Sequence, residues 1–301
     1  MALADAMATP EAVLGGLGPG AGRRRTVRRL LRDRSAVAGM VVVLAFVLGA
    51  VAAPWLAPQP PNITDFGNRF APPSMAHPLG TDHVGRDELS RILHGARLSL
   101  GMALSATVGI TVLGLLLGMI AGMAGRFVDS VIMRVVEVLQ SLPLLILALV
   151  VVGLLGQGLR NLIITIALLG WTGYARLVRA MTFKLRDREF VEAAQGMGAS
   201  RLRIMVRHIA PNLVGPVVVL STLNMGSVLL AVSGLSFLGF GVKPPTAEWG
   251  AMISEARSYL DNAPLLLAWP GLAITLMVLS FNLAGDGLRD FLDPRTESSR
   301  R

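Results

Sequence analysis

The chain has 301 residues, of which 53% are hydrophobic and 16% are charged, and its formal net charge is +9. The charged fraction lies below the roughly 25% that is typical of soluble domains, and the apolar residues form long uncharged blocks, which indicates a membrane protein. Cysteine is absent, which excludes disulfide scaffolds, iron–sulfur clusters, thiolate zinc sites and cysteine nucleophiles.

Six apolar blocks are long enough to cross a bilayer, because a membrane-spanning helix needs about 20 mostly apolar residues. The blocks are continuous rather than built of short alternating segments, which favours helices over a β-barrel. The sequence therefore predicts an all-α membrane protein with six transmembrane helices. In chain order, the blocks run over residues 36–56, 98–123, 131–155, 162–177, 213–240 and 264–283.

The chain ahead of the first block can be interpreted in two ways. Residues 1–22 are rich in Ala, Gly and Pro, which predicts a disordered tail. The basic run Arg23 to Arg25, the apolar block and the small residues at 49–53 together resemble a cleavable signal peptide. An uncleaved first span is favoured, because the block is long enough to cross the membrane and five more blocks follow.

The distribution of Lys and Arg orients the chain, since cytoplasmic segments carry the excess of basic residues. With the N-terminus inside, the cytoplasmic segments hold 21 of the 28 basic residues. Both termini are therefore expected in the cytoplasm, and this sorting by membrane side argues against a nucleic-acid partner. The expected organisation is a cytoplasmic tail (1–35), a first span with an outer loop (36–97), a core of five spans (98–290) and a cytoplasmic tail (291–301).

The outer segment of residues 57–97 is too short for an independent solute-capturing domain, and we expect it to form a cap or a docking surface. Its first part is rich in proline, which argues against a helix there. Residues 79–87 are turn-like, and residues 88–94 are expected to form a short interfacial helix. His77 and His83 flank the turn, where a weak metal contact stays open, but a solvated or turn-stabilising role is favoured.

The segment of residues 187–212, between the fourth and fifth blocks, is predicted to form a charged helix–turn–helix on the inner membrane surface. Asp187 can cap a first helix, and Gly198 can end that helix in a left-handed conformation. Ser200 can cap a second, amphipathic helix, and Pro211 is expected to break the chain before the fifth block.

The composition of this segment favours a protein partner over lipid. Basic amphipathic helices often bind anionic lipid, and that alternative stays open. Lipid binding does not require Glu192 or the small pair Ala193 and Ala194. Small residues allow close approach of helices, and a carboxylate offers a directional partner for arginine. We therefore expect the segment to occupy a socket on another protein.

Polar residues inside the blocks are few. Pro143 is expected to loosen the third helix, and Ser141 can satisfy the backbone groups that this frees. Ser221 and Asn224 in the fifth block either face a central path or hold helices together by hydrogen bonds.

Four stretches of the chain carry a family resemblance. The first is Glu192-Ala193-Ala194 with Gly198 and Pro211, which is similar to the EAA motif of importer permeases. The others are HPLGTDHVGRD from residue 77, LSFLGFGVKPPTAEWG from residue 235 and FNLAGDGLRDFLDPR from residue 281. In this order, on six predicted spans, they resemble the bacterial ABC-importer permeases of the dipeptide/oligopeptide/nickel family (DppC/OppC type). The resemblance covers about residues 28–295.

The resemblance implies a type I ABC-importer permease fold and a division of labour between subunits. Such a permease pairs with a second, homologous permease of the DppB/OppB type in the bacterial plasma (inner) membrane. Two ATPase domains, separate or fused, bind the cytoplasmic face, and an extracytoplasmic solute-binding protein delivers the solute. ATP and Mg belong to the partner ATPases, so no cofactor or metal is expected on this chain. The implied solutes are di- and oligopeptides, with nickel or another small solute as the alternative.

The resemblance also implies roles for particular residues. The EAA-like segment is then a coupling helix that sits in a cleft of an ATPase domain, with Glu192 as the polar contact, Gly198 as the turn and the arginines as orienting charge. The expected coupling residues are Glu192, Ala193, Ala194, Gly198, Arg201, Arg203, Arg207 and Pro211. The expected residues of a translocation path are Ser141, Ser221 and Asn224.

Two positions depart from the family pattern. The EAA pattern usually ends in Leu-Pro, whereas Ala210 precedes Pro211 here, which should reduce apolar contact and leave the turn. Relatives often carry a carboxylate a few residues before the LSFLG run, where this chain has Val232. A solute or cation contact through that carboxylate is therefore not expected.

The chain is not expected to be an enzyme. A phosphate-binding loop needs a glycine-rich turn that ends in Lys and Ser or Thr, and neither of the two lysines, Lys184 and Lys243, follows such a turn. A secondary transporter driven by an ion gradient is disfavoured, because no clear repeat is present and the span centres are nearly free of charge. A membrane-anchored scaffold would need a soluble effector domain, and the sequence shows none.

Overall fold

The computed structural model describes residues 33–292. Most of both expected tails lies outside the described residues, including the predicted disordered segment and the basic run Arg23 to Arg25. The end of the last family motif, Asp293-Pro294-Arg295, also lies outside them. Within residues 33–292 the chain is built of helices joined by loops and has no β-sheet.

Eleven α-helices follow one another along the described part of the chain. They are α1 (Arg34–Val51), α2 (Ala53–Leu56), α3 (Glu88–Met123), α4 (Arg126–Gln140), α5 (Leu144–Leu155), α6 (Leu159–Arg186), α7 (Glu189–Gly196), α8 (Arg201–Ile204), α9 (Ala210–Phe237), α10 (Trp249–Ala256) and α11 (Leu265–Leu292). A π-helical turn, Met205–Ile209, joins α8 to α9.

Five helical stretches within residues 33–292 are long and apolar enough to cross a membrane, namely α1, α3, α6, the continuous α8–α9 stretch and α11. The third apolar block is not one straight span, because α4 and α5 meet at an angle of 97°. The count reaches six only if this bent pair is one span. Pro143 accounts for the break, since it has no N–H to continue the helical ladder. The Ser141 hydroxyl donates to the Val138 carbonyl oxygen at 2.8 Å.

The end of the outer segment, from Glu88 onwards, is continuous with the membrane helix α3. Residues 88–94 are the first turns of α3, not a separate interfacial helix as the sequence predicted. Asp87 caps this long helix, because its carboxylate accepts a hydrogen bond from the Ser90 N–H at 2.8 Å. The preceding loop is non-helical apart from a short 3₁₀ turn, Phe66–Asn68, as the proline content predicted.

Two expectations for residues 187–212 are corrected by the structure. Asp187 does not cap α7, because Arg188 holds the N-cap position without a side-chain hydrogen bond. Asp187 instead accepts a hydrogen bond from Arg186 at 3.2 Å. Pro211 does not break the chain, because it lies in the first turn of α9, where a proline is tolerated. The π-helical turn before it, closed by a hydrogen bond from the Ala210 N–H to the Met205 carbonyl, keeps the helix continuous.

Helices α3 and α6 form the closest helix pair of the bundle. Along α3, Gly114, Gly118 and Gly122 face the side of α6, and a Cβ added at Gly118 would lie 2.7 Å from the carbonyl oxygen of Ala175. Small residues allow such close approach of backbones in membranes. Helix α11 packs against α1 and α9, and α9 packs against α3, so α3, α6, α9 and α11 form the centre of the bundle.

Large apolar side chains are fully buried where these helices meet. The set includes Met102, Ile110, Leu162, Leu213, Leu229, Leu235 and Met277. Apolar side chains on α1, among them Val41, Leu44 and Leu48, are more than half exposed. An apolar outer surface of this kind is what a lipid environment requires.

Candidate functional site

The hairpin of residues 187–212 consists of α7, a glycine turn and α8, and it leads into α9. Gly198 at the turn has a φ of +79°, a left-handed conformation that glycine adopts without steric cost. The Ser200 hydroxyl accepts a hydrogen bond from the Arg203 N–H at 3.4 Å, which caps α8. The predicted turn at Gly198 and the predicted helix cap at Ser200 are both confirmed.

The 187–212 hairpin has an inner and an outer face. On the inner face, four apolar side chains are buried in the bundle and hold the hairpin in place: Val191, Ala194, Ile204 and Ile209. On the outer face, Met197 is 82% exposed, and Leu202 and Val206 are more than half exposed. Exposed apolar side chains grouped on a polar segment are typical of a surface that contacts another protein.

The predicted coupling residues lie in three places: a cavity, the exposed outer face and the buried inner face of the hairpin. Glu192 and Arg201 both line a cavity of about 500 Å³ between the hairpin and the end of α3, whose wall also includes Arg186, Asp187 and Gln195. The wall of this cavity does not include the other predicted residues. Ala193, Arg203, Arg207 and Pro211 are exposed, whereas Ala194 is buried. The two alanines therefore have different roles: Ala194 packs into the bundle, and Ala193 adds no bulk to the outer face.

The end of α6 next to the hairpin is fixed by an ion pair that the sequence did not reveal. Arg179 on α6 forms a two-pronged pair with Asp129 on α4, in which its Nη2 lies 2.5 Å from the carboxylate Oδ2. The guanidinium groups of Arg179 and Arg186 lie 4.7 and 4.6 Å from the Phe183 ring centre. Arg186 also donates to the Gly122 carbonyl of α3 at 3.4 Å. Helices α3, α4 and α6 are thus linked directly beside the hairpin.

A second candidate site is a cavity of about 730 Å³ between α6, α9 and the α4–α5 break. Its polar lining residues are Gln140, Thr172, Tyr174, Asn224 and Ser227, and the remaining lining residues are apolar or glycine. None of the lining residues is charged. A concave, mostly apolar site with a few polar groups is the usual form of a small-molecule site.

The three predicted path residues occupy different places. Asn224 lines this cavity. Ser221 joins two helices, because its hydroxyl lies 2.9 Å from that of Thr111 on α3 and also donates to the Val217 carbonyl. Ser141 donates to the backbone at the end of α4 and is not among the lining residues. Val232, which the sequence singles out as a departure from the family pattern, is fully buried.

A buried ion cluster ties the outer loop to α3 and α10. Arg86 lies 2.5 Å from both Asp82 Oδ2 and Glu255 Oε2, and Arg91 lies 3.1 Å from Glu255 Oε2. Ligand atoms of Asp82, His83 and Glu255 lie within 4.8 Å of one another, as a metal ion would require. However, the arginines already neutralise both carboxylates, so a cation would have to displace them. Burial is the main cause that lowers the pKa of His83.

His77 has a structural contact in the same loop. Its Nδ1 lies 3.0 Å from the Asp87 carboxylate, the group that caps α3. The His83 ring stacks on the Tyr259 ring at a centroid distance of 4.9 Å. Both histidines therefore have partners that stabilise the turn, which supports the favoured alternative over a metal contact.

Two family models match the chain. The model described as "binding-protein-dependent transport system inner membrane component" matches residues 114–298. The model described as "N-terminal TM domain of oligopeptide transport permease C" matches residues 23–73. Together they cover the first span and the bundle from residue 114 onwards, and they leave out the first part of α3.

Curated relatives are similar over most of their length. The nickel transport system permease protein NikC of Escherichia coli K12 is 44% identical over 255 residues, which is 85% of this chain and 92% of that protein. The dipeptide transport system permease protein DppC of Alkalihalophilus pseudofirmus is 40% identical over 275 residues, or 91% and 90% of the two chains. The di/tripeptide transport system permease protein DppC of Pseudomonas aeruginosa is 41% identical over 273 residues, or 89% and 90%.

The fold also matches a solved structure. A chain of the inward-facing MetNI methionine ABC transporter superposes with a TM-score of 0.55 at 17% identity, covering 67% of this chain and 97% of that one. At this identity the likeness concerns the fold alone, which is that of a type I ABC-importer permease. The chain therefore belongs to the family of inner-membrane components of binding-protein-dependent transport systems, as a multi-pass permease of bacterial ABC importers that is not itself an ATPase.

Proposed function

We propose that this chain is the DppC/OppC-type permease subunit of an ATP-driven importer of di- and oligopeptides, coupled to separate ATPase subunits through the 187–212 hairpin. The observation that carries the proposal is the hairpin itself. Its inner face is anchored by four buried apolar residues, and its outer face presents Met197 and Leu202 beside charged groups. A partner that pushes on this surface moves α9 directly, because α8, the π-helical turn and α9 are continuous.

The proposed coupling residues follow from this geometry. Glu192 and Arg201 share one polar cavity, so an ATPase side chain entering there meets both charges. Arg203 and Arg207 supply exposed positive charge on the same segment, Ala193 keeps the outer face flat, and Gly198 allows the turn. Ala194 and Pro211 act indirectly, by packing the hairpin and by starting α9.

The proposed assembly contains the partners that such importers use. Two ATPase domains bind ATP and Mg and sit on the hairpin side, a second permease of the DppB/OppB type completes the path, and an external binding protein delivers the solute. The hairpin side is the cytoplasmic side in this proposal, so both termini are cytoplasmic. The proposal keeps the four predicted parts of the chain, except that the core begins with α3 at Glu88 rather than at residue 98.

The relatives support two solute classes to a similar degree. Peptide permeases at 40–41% identity and a nickel permease at 44% identity cover comparable shares of the chain. We favour peptides because the lining of the 730 Å³ cavity is uncharged and contains no carboxylate, imidazole or thiolate, which are common ligands of nickel and similar metals in proteins.

The experiment is uptake by proteoliposomes that contain this chain with its cognate second permease, ATPases and binding protein. Uptake of a labelled dipeptide should require ATP hydrolysis and persist when an ionophore collapses the proton gradient. Excess unlabelled dipeptide should compete, whereas free Ni²⁺ should not. Loss of uptake on gradient collapse with ATP present would favour a secondary transporter. Nickel uptake that peptides do not inhibit would establish the nickel alternative.

A further inference from the structure

The 730 Å³ cavity contains a hydrogen bond that its apolar surroundings do not explain. The Gln140 side-chain amide donates to the Thr172 hydroxyl at 3.1 Å. Gln140 is the last residue of α4, and Thr172 lies in the middle of α6. Both residues line the cavity, so the bond forms part of its wall.

The position of this bond links the cavity to the α4–α5 break. The chain turns by 97° directly after Gln140, and Leu142 and Leu144 on the far side of the break also line the cavity. A contact at Gln140 therefore sets where the break lies relative to α6. A solute that competes for this contact would therefore change how the α4–α5 pair, the one bent pair among the candidate spans of residues 33–292, is held against α6.

One lining residue has a buried hydroxyl without a partner among residues 33–292. Tyr174 lines the cavity and is 2% exposed, and its hydroxyl has no hydrogen-bond partner within the described residues. A buried hydroxyl without a partner is costly. Asn224 adds an amide from α9. The wall thus offers amide and hydroxyl groups, which can donate and accept, and no charge.

We infer that Gln140 and Thr172 are selectivity-determining residues that recognise the peptide bond of the transported solute, exchanging their mutual hydrogen bond for bonds to its N–H and C=O groups. This inference rests on the proposed function and specifies its substrate contact. A primary amide offers two donors and an acceptor, and a hydroxyl offers one donor and two lone pairs, which matches a peptide bond. Because every peptide has the same backbone, recognition of this kind tolerates different side chains.

The test compares a tripeptide with its depsipeptide analogue, in which an ester replaces the central amide and removes one N–H donor. Both are assayed in the full reconstituted importer with the same binding protein, so that selection by the binding protein cancels between variants. Wild type should transport the amide about threefold to tenfold faster than the ester, the effect of one net hydrogen bond. The variant that removes the acceptor of this N–H, Gln140→Met or Thr172→Val, should lower the ratio about threefold to tenfold relative to wild type.

The controls separate recognition from folding. Thr165→Val changes a buried threonine two turns away on the same helix, outside the cavity lining, and should keep the wild-type ratio. Thr172→Ser retains the hydroxyl and should restore the ratio. Because the ratio is measured within one preparation, it does not depend on how much complex assembles.

An unchanged ratio in both Gln140→Met and Thr172→Val would overturn the inference while leaving the proposed function standing. A ratio lost equally in Thr165→Val would also overturn it. A wild-type complex that transports neither compound with ATP would instead refute the proposed peptide function, and the inference with it.

Discussion

Gly118 is one of the positions where α3 approaches α6 closely, and nothing larger fits there. A Cβ at this position would lie 2.7 Å from both the Ala175 carbonyl oxygen and the Val178 Cβ. The first of these is backbone, so the neighbour cannot move aside by changing a rotamer. The whole helix pair would have to separate. Gly101 on the same helix has open space around it and provides a matched comparison.

Gly118→Ala should destabilise the bundle by about 1–3 kcal/mol, the usual cost of an overpacked site. Gly101→Ala should leave stability unchanged or raise it slightly, because alanine is the better helix former. Thermal unfolding of the purified proteins, followed by tryptophan fluorescence, measures the difference. Equal melting temperatures for the two variants would show that α3 and α6 pack less tightly at Gly118 than the structure indicates.

Local sequence signals predicted some residue roles and missed others for a physical reason. The turn at Gly198 and the cap at Ser200 depend only on neighbouring backbone, so the sequence shows them directly. The pairs Asp129–Arg179 and Gln140–Thr172 join residues 50 and 32 positions apart. Such pairs depend on how the helices pack, which no spacing in a single sequence encodes.

The membrane-crossing elements were predictable in type, and in number if the bent α4–α5 pair counts as one span, since an apolar block of about 20 residues has no other stable form in a bilayer. Their ends were less predictable. Helix α3 extends ten residues beyond its apolar block because Asp87 caps it, and α9 continues into α8 through a π-helical turn. Hydropathy detects the apolar part of a helix and not the polar turns that extend it.

The broken third span was also only partly predictable from the sequence. Pro143 indicated a weak point in the helix, but a proline in a membrane helix is compatible with a slight kink or with a complete break. The angle of 97° follows from the separate contacts that α4 and α5 make with α6. Helix α4 is held to α6 by Asp129–Arg179 and by Gln140–Thr172, and α5 packs on α6 separately.

At the scale of the whole molecule, the expected orientation has a direct test, because the chain contains no cysteine. Single cysteines can replace Met75 in the outer loop and Met197 on the hairpin, two highly exposed positions. A membrane-impermeant maleimide applied to intact cells should label Met75→Cys. It should label Met197→Cys only after the membrane is permeabilised. The reverse pattern would place the hairpin outside and contradict the proposed coupling surface.

We propose that the 187–212 hairpin transmits ATP hydrolysis to the membrane helices, and two glycines of the hairpin allow a matched test. Gly198 has a φ of +79° and Gly196 lies in α7, and both have open space where a Cβ would be. Alanine at Gly198 therefore strains only the backbone, by about 1 kcal/mol or more, while alanine at Gly196 does not.

The most direct measurement is the amount of solute imported per ATP hydrolysed in proteoliposomes that contain the complete importer. We predict that Gly198→Ala assembles with the ATPases but lowers this ratio about fivefold or more, whereas Gly196→Ala stays within about twofold of wild type, in line with a strain of about 1 kcal/mol. A wild-type ratio in Gly198→Ala, or an equal loss in both variants, would show that the turn at Gly198 does not transmit ATP hydrolysis to the membrane helices.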